Sequence, residues 1–240
     1  MHKKIELVLD FDGVLFNTAE EAYSVCIRTP VFNRKRFNHK AYLKFLRLRP
    51  LVGPAWNYYE IMQIILKKKS PSSLLFRKTL RSVHFEKKFF KTRYKFKKNL
   101  YKRWIKLNTP YAFFFKLSAI LSKYPNCEVS ILSTKDKKTI SDLLACYPKS
   151  AKYFDNIYDK TTFDKYGSKC KFLMEKQSKE KKKILFIDDS TQHIEKCRNI
   201  RNIIPIQASW GYVSPKDLTI YAHNMDDTLQ IIIDFIKETS

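Results

Sequence analysis

The sequence predicts an α/β fold: a doubly wound, Rossmann-like parallel sheet with an α-helical domain inserted near its N-terminal end. Three observations carry this expectation. Short apolar runs that read as buried strands alternate with segments of helical periodicity. Two of those runs end in paired or near-paired aspartates. One segment holds almost all of the net positive charge. A chain of 240 residues suffices for one sizeable α/β domain or a core with a smaller insertion. Its 44% hydrophobic content supports a packed core.

The first strand is the run from Ile5 to Leu9. A helix follows from Pro110 to Ser122, with Phe114, Leu117, Ile120 and Leu121 at helical spacing and Pro110 near its start. The alternation continues with a strand at Glu128 to Leu132, a helix at Lys138 to Cys146 and a strand at Phe154 to Tyr158. A helix from Ser168 to Lys176 takes Ser168 as its N-cap. After it come a strand at Ile184 to Ile187, a helix at Thr191 to Asn199, a strand at Ile203 to Ala208 and a last helix at Met225 to Lys237. Strands separated by helices imply a parallel sheet. The lysine-rich stretch from Lys179 to Lys183 reads as a solvated turn.

The inserted segment is read from charge. Lys and Arg number 47 against 23 Asp and Glu, a net +24. From Val31 to Lys106 there are 23 basic residues against Glu60 and Glu86 alone, a net +21, which leaves +3 for everything else. A uniform compositional bias would not concentrate charge in this way. The expected division is therefore a core of residues 1–16 and 107–240 and a helical, strongly basic insert of residues 17–106. Within the insert, Ala55 to Lys68 and Leu80 to Ile105 read as helices. In Lys87 to Lys98 cations and aromatics interleave, as on some nucleic-acid surfaces. The aromatics are read instead as the buried face of an amphipathic helix. The charge excess still asks for an anion: a highly phosphorylated substrate, a nucleic acid or an anionic membrane surface.

Five cysteines, odd in number, widely spaced and without a CxxC pair, argue against a disulfide framework and a structural zinc site. They are read as small inert hydrophobes. No signal-peptide apolar region and no run long enough to span a bilayer is present, so the expectation is a cytoplasmic protein. The sequence leaves the oligomeric state open.

The chemistry concentrates at strand ends, where ligands of open α/β sheets bind. Asp10 and Asp12 flank the end of the first strand, just before Gly13. Two carboxylates so close repel unless a cation lies between them, and Mg²⁺ takes such hard oxygen ligands. An Asp-x-Asp-Gly turn also fits a plain loop or a calcium site. Ile184 to Ile187 runs into Asp188 and Asp189, a pair costly at the end of a buried strand without a cation. A third strand end, Ser133-Thr134-Lys135, offers hydroxyls and backbone N–H groups that suit a phosphate oxygen, or a helix cap. His193 reads as a capping or surface residue, Trp210 and Tyr212 as core or loop packing, and Gly211 as permitting a tight turn.

The ordered set Asp10-Phe11-Asp12-Gly13-Val14-Leu15, then Leu132-Ser133, then a lysine, then Ile187-Asp188-Asp189-Ser190 resembles the haloacid dehalogenase superfamily of phosphatases. The likeness covers the core segments, about two-thirds of the chain. Ser209-Trp210-Gly211-Tyr212 resembles a stretch in phosphoglycolate-phosphatase-like members. The resemblance implies an aspartyl-phosphate on Asp10, a general acid–base role for Asp12, and phosphate binding by Ser133, Thr134 and a lysine. Dehalogenases of this family lack the second aspartate, so Asp12 favours phosphate release. It also implies Mg²⁺ held by Asp10, Asp12 through its backbone carbonyl, and Asp189, with Asp188 assisting, and a substrate-selecting cap in the insert. Lys169 fits the lysine position best; Lys165 and Lys171 are its rivals. Three functions stand: a phosphatase of a small phosphorylated metabolite, a phosphatase of nucleotides or nucleic-acid ends, and a non-catalytic nucleic-acid-binding protein on the same fold.

Overall fold

The computed structural model describes residues 5–33, 36–66 and 77–238. The chain forms two compact units, Met1–Asn17 with Pro110–Ser240, and Thr18–Thr109.

The first unit is built on a six-stranded sheet. We label its strands β1 (Ile5–Leu9), β2 (Glu128–Leu132), β3 (Asn156–Tyr158), β4 (Lys183–Asp188), β5 (Ile203–Ala208) and β6 (Ala222–His223). Their order across the sheet is β3-β2-β1-β4-β5-β6, and every pairing is parallel. The expected α/β architecture is therefore present. β1 is buried throughout because it lies between two neighbours in a sheet sandwiched by helices. Val8, Leu132, Ile184 and Phe186 pack on one face against Phe172 and Leu173 of the Lys169–Glu180 helix and Ile194 and Cys197 of the Thr191–Cys197 helix.

Register carries the site. Leu9 pairs with Ile131 on one side and Ile187 on the other. One step further, Asp10 leaves β1 level with the ends of β2 and β4, and its N–H donates to the Ile187 carbonyl at 2.9 Å. Acidic and hydroxyl residues distant in sequence are thus brought to one edge of the sheet.

Several elements differ from expectation. The helix at Lys169–Glu180 runs four residues past its expected end, because nothing breaks it before Lys181, which caps it in the left-handed conformation (φ 53°). Lys179 is accordingly helical, Lys182 bonds Glu128 and Glu180, and Lys183 opens β4, so the lysine stretch is not simply a turn. The two-residue β6 carries no apolar run that periodicity would detect. The Lys160–Tyr166 helix, capped by Asp159, was likewise not anticipated.

In the second unit, helices occupy Ala19–Arg28, His39–Leu48, Asn57–Ile65, Leu80–Asn99 and Tyr101–Lys106. The helix read as Leu80 to Ile105 is broken at Leu100, which leaves helical geometry (φ −138°, ψ 47°). The expected end of the Ala55 helix at Lys67 and Lys68 lies outside the described residues. Phe85, Phe89 and Phe96 are buried as the amphipathic reading required. Tyr94 is exposed.

Arg93 is not one of the solvent-facing cations. It is buried, donating through Nε and Nη2 to the two oxygens of Glu21 at 2.8 and 2.9 Å, with its guanidinium over the Phe89 ring. Trp104 Nε1 adds a donor to Glu21 at 3.2 Å. Removing one member of such a pair strands a buried charge. Arg93→Met is expected to destabilise the protein by about 3–5 kcal/mol, while Arg93→Met with Glu21→Met recovers most of that loss; urea unfolding midpoints read both.

Candidate active site

The site is assembled from the ends of β1, β2 and β4 and the start of the Lys169–Glu180 helix. Ser168 caps that helix, accepting from Lys171 N at 3.2 Å, and thereby sets the direction of its first residue. Lys169 runs inward. Its Nζ lies 2.9 Å from Asp10 Oδ2 and 2.7 Å from Asp188 Oδ2, with 1% of the side chain exposed. Lys165 and Lys171 are both solvent-exposed. Of the three lysines, the fold brings only Lys169 to the carboxylates.

Asp188 is fully buried and already occupied. One oxygen meets Lys169 and His193 Nδ1 (3.0 Å), and the other accepts from Ser190 N at 2.8 Å. Burial works against its charge, but Lys169 and His193 outweigh burial and hold its pKa well below the usual carboxylate range. His193 is thus neither a cap nor a free surface residue: the turn after β4 directs it back at Asp188. For Asp10 burial wins. Desolvation, with the charges of Asp188 and Asp12, raises its pKa despite Lys169. Burial also opposes the charge on Lys169, yet the two carboxylates hold its pKa above the ordinary lysine value.

Asp12 has a separate partner. Lys135 Nζ lies 2.9 and 3.2 Å from its two oxygens and is almost wholly buried. Lys135 closes the third strand end and was not among the expected site residues. Its clue was a cation two positions after Ser133, at a strand end already facing two aspartates. Ser133 is buried and Thr134 half-buried. Neither caps the next helix, because Asp136 does so, accepting from Thr139 N at 2.9 Å.

Asp189 faces two of the chain's four glycines. A Cβ on Gly13 would lie 2.0 Å from Asp189 Oδ2, and one on Gly211 would lie 2.4 Å from Asp189 Cβ and 2.6 Å from the Gly13 carbonyl. Gly13 also has φ +90°. Gly211 lies in a turn as expected, its N–H donating to the Ala208 carbonyl at 3.2 Å, and what excludes a side chain there is close approach and not a positive φ. Tyr212 N donates to Asp189 Oδ2 at 2.5 Å, and its hydroxyl to Asn17 Oδ1 at 3.0 Å. Trp210 packs as expected, with its ring on Phe113 and its Nε1–H on the Val14 carbonyl.

One oxygen each from Asp10, Asp188 and Asp189 fall within 4.8 Å of one another, all buried. Counting Asp12, four carboxylates face the ammonium groups of Lys169 and Lys135, an excess of about two negative charges in a poorly solvated place. A divalent cation with a preference for hard oxygen fits that donor set. A second acidic group, Glu6, Glu128 and Glu180, sits toward the opposite end of β1. Lys176 and Lys182 already pair with it, and two of its members reach solvent, so it makes no such demand.

Comparison with solved structures decides the architecture. A structure described as "a predicted phosphatase from Clostridium acetobutylicum" superposes with a TM-score of 0.65 at 17% identity, over 96% of this chain and 99% of that one. The chain has the haloacid-dehalogenase-like fold. A haloacid dehalogenase-like hydrolase from Streptococcus pneumoniae matches at TM-score 0.59 and 16% identity, over 97% of this chain and 100% of that one. A predicted phosphoglycolate phosphatase from Haemophilus somnus 129pt gives 0.65 and 14%, over 97% and 99%. The resemblance drawn from the four motifs is thus matched at the level of fold across nearly the whole chain. No protein-family model and no curated protein matches the sequence. No described helix is long and apolar enough to cross a membrane.

The glycines provide a graded test. Gly167 also has positive φ (+73°), but a Cβ there would meet nothing within 4 Å. Gly167→Ala is expected to cost about 1–2 kcal/mol from backbone strain alone. Gly13→Ala should add about 1–3 kcal/mol for displacing Asp189. Equal losses in thermal unfolding would contradict the clash.

Proposed function

We propose that this protein is a Mg²⁺-dependent phosphatase that hydrolyses the phosphomonoester of a small metabolite through an aspartyl-phosphate on Asp10. The observation that carries the proposal is the buried group of Asp10, Asp188 and Asp189 around Lys169, at the sheet edge of a haloacid-dehalogenase-like fold. Likeness to structures described as phosphatases supports it. Asp10 and Asp189, with the Asp12 carbonyl and help from Asp188, would hold Mg²⁺, which neutralises charge on carboxylates and phosphoryl oxygens.

The side chains then have distinct tasks. A carboxylate oxygen of Asp10 attacks phosphorus as the bond to the leaving oxygen breaks, and Asp12 protonates that oxygen. Asp12 next takes a proton from water, whose oxygen attacks phosphorus; the bond to Asp10 breaks and inorganic phosphate leaves. Lys169 favours the ionised form of Asp10 and offsets part of the burial that raises its pKa. His193 and Ser190 N hold Asp188 where it orients Lys169. Ser133 and Thr134 are assigned to the phosphoryl oxygens. Lys135 positions the Asp12 carboxylate. The unit Thr18–Thr109 is assigned the role of substrate-selecting cap, and its charge favours a second reading, in which the substrate is a nucleotide or a nucleic-acid end.

Asp10→Asn should reduce phosphate release from p-nitrophenyl phosphate to background, and EDTA should do the same to the unaltered protein, reversibly with Mg²⁺. Turnover by Asp10→Asn at the unaltered rate would overturn the mechanism. Lys135→Met should lower kcat at least about ten-fold with little change in KM, and Lys135→Arg should restore part of it. A panel of phosphorylated metabolites set beside 5′- and 3′-phosphorylated oligonucleotides separates the two substrate readings.

A further inference from the structure

The Thr18–Thr109 unit has an electrostatic problem that catalysis leaves unsolved. It carries 24 Lys and Arg against four carboxylates, Glu20, Glu21, Glu60 and Glu86, a net +20. Three of the four are buried, and Glu21 is already spent on Arg93 and Trp104. Only Glu20 is exposed. The unit therefore has almost no means of balancing its own surface, and an external anion must do so.

The excess is arranged as well as large. In the Leu80–Asn99 helix Phe85, Phe89, Arg93 and Phe96 point into the core, and the opposite face presents Lys87, Lys91, Lys95 and Lys98 to solvent. At 1.5 Å per residue this row extends about 16 Å. Among the described residues none of Lys87, Lys91, Lys95 and Lys98 has an ion-pair partner. Beside the row opens a cleft of 370 Å³ lined by Arg28, Pro30, Lys88, Lys91, Thr92 and Lys95. Arg28 is fixed there by stacking on Phe96 and donating to the Ser24 carbonyl at 2.8 Å.

We propose that this helix face and its cleft bind the sugar–phosphate backbone of a single-stranded nucleic acid, independently of the phosphatase reaction. A linear row of cations matches a chain of phosphates, and a concave cationic cleft accepts a projecting phosphate that a flat lipid surface would not fill. Membrane-surface helices also need an apolar face to insert, and here that face is buried in the unit's own core. Recognition is of the backbone, so it is insensitive to base sequence and steeply dependent on salt.

The test is fluorescence anisotropy of a labelled 20-nucleotide oligo-uridine with the full-length protein, titrated between 50 and 200 mM NaCl. Lys91→Glu with Lys95→Glu and Lys98→Glu should weaken binding at least about ten-fold and flatten the slope of log K against log salt by about 2, from three lost phosphate contacts. Lys123→Glu with Lys149→Glu and Lys152→Glu makes the same change of net charge on exposed lysines of the other unit. That control should leave the slope nearly unchanged. Should the helix triple misfold, as judged by its melting temperature, the corresponding Lys→Gln triple gives the same comparison. Equal effects of the helix and control triples would overturn the proposal, since net charge alone would then explain binding. So would ATP binding as tightly as the oligonucleotide, or sedimentation with phosphatidylserine vesicles in the absence of oligonucleotide binding.

Discussion

The ammonium of Lys169 lies between Asp10 and Asp188, out of water, and much else in the first unit is arranged around that fact. A buried lysine is tolerable only while its carboxylates stay ionised, and buried carboxylates only while the lysine stays beside them. The contact therefore ties the end of β1 to the end of β4 and to the first turn of the Lys169–Glu180 helix. Ser168, Ser190 and His193 hold the periphery by satisfying the remaining donors and acceptors. Even so the acids outnumber the cations, and the surplus is what a metal would neutralise.

Much of this arrangement could be read from the sequence, for physical reasons. Asp10 and Asp188 follow apolar runs, and a parallel sheet gathers the carboxyl ends of its strands on one edge. Knowing that two runs are buried parallel strands is nearly enough to bring their terminal aspartates together. Lys169 stood out from its rivals because it opens a helix with a serine cap. Other parts were not legible. Lys135 reaches Asp12 through a long side chain, and spacing says nothing of where such a chain folds. His193 lies on a short helix whose orientation depends on the turn before it. Gly211 reads as a turn glycine and is one, but spacing could not show that Asp189 also packs against it.

The basic insert shows the same division between pattern and partner. Periodicity identified the buried aromatics at Phe89 and Phe96, but it could not separate Arg93 from the lysines around it. Arg93 goes inward because Glu21, on another helix, offers two well-placed oxygens and Phe89 a ring to lie on. The break at Leu100 was hidden too, since the sequence there contains neither glycine nor proline. The unit thus has a costly ion pair in its interior and unbalanced charge on its outside, and only the second was visible as composition.

The packing of Gly13 and Gly211 against Asp189 bears on when the site exists at all. One glycine belongs to the turn after β1 and the other to the segment just after β5, nearly two hundred residues further on. Asp189 is seated only when the turn after β1 and the segment after β5 both close on it. Contacts of such long range form late and must bear the full entropy of loop closure. The carboxylates at the strand ends therefore take their final geometry only once that long loop has closed.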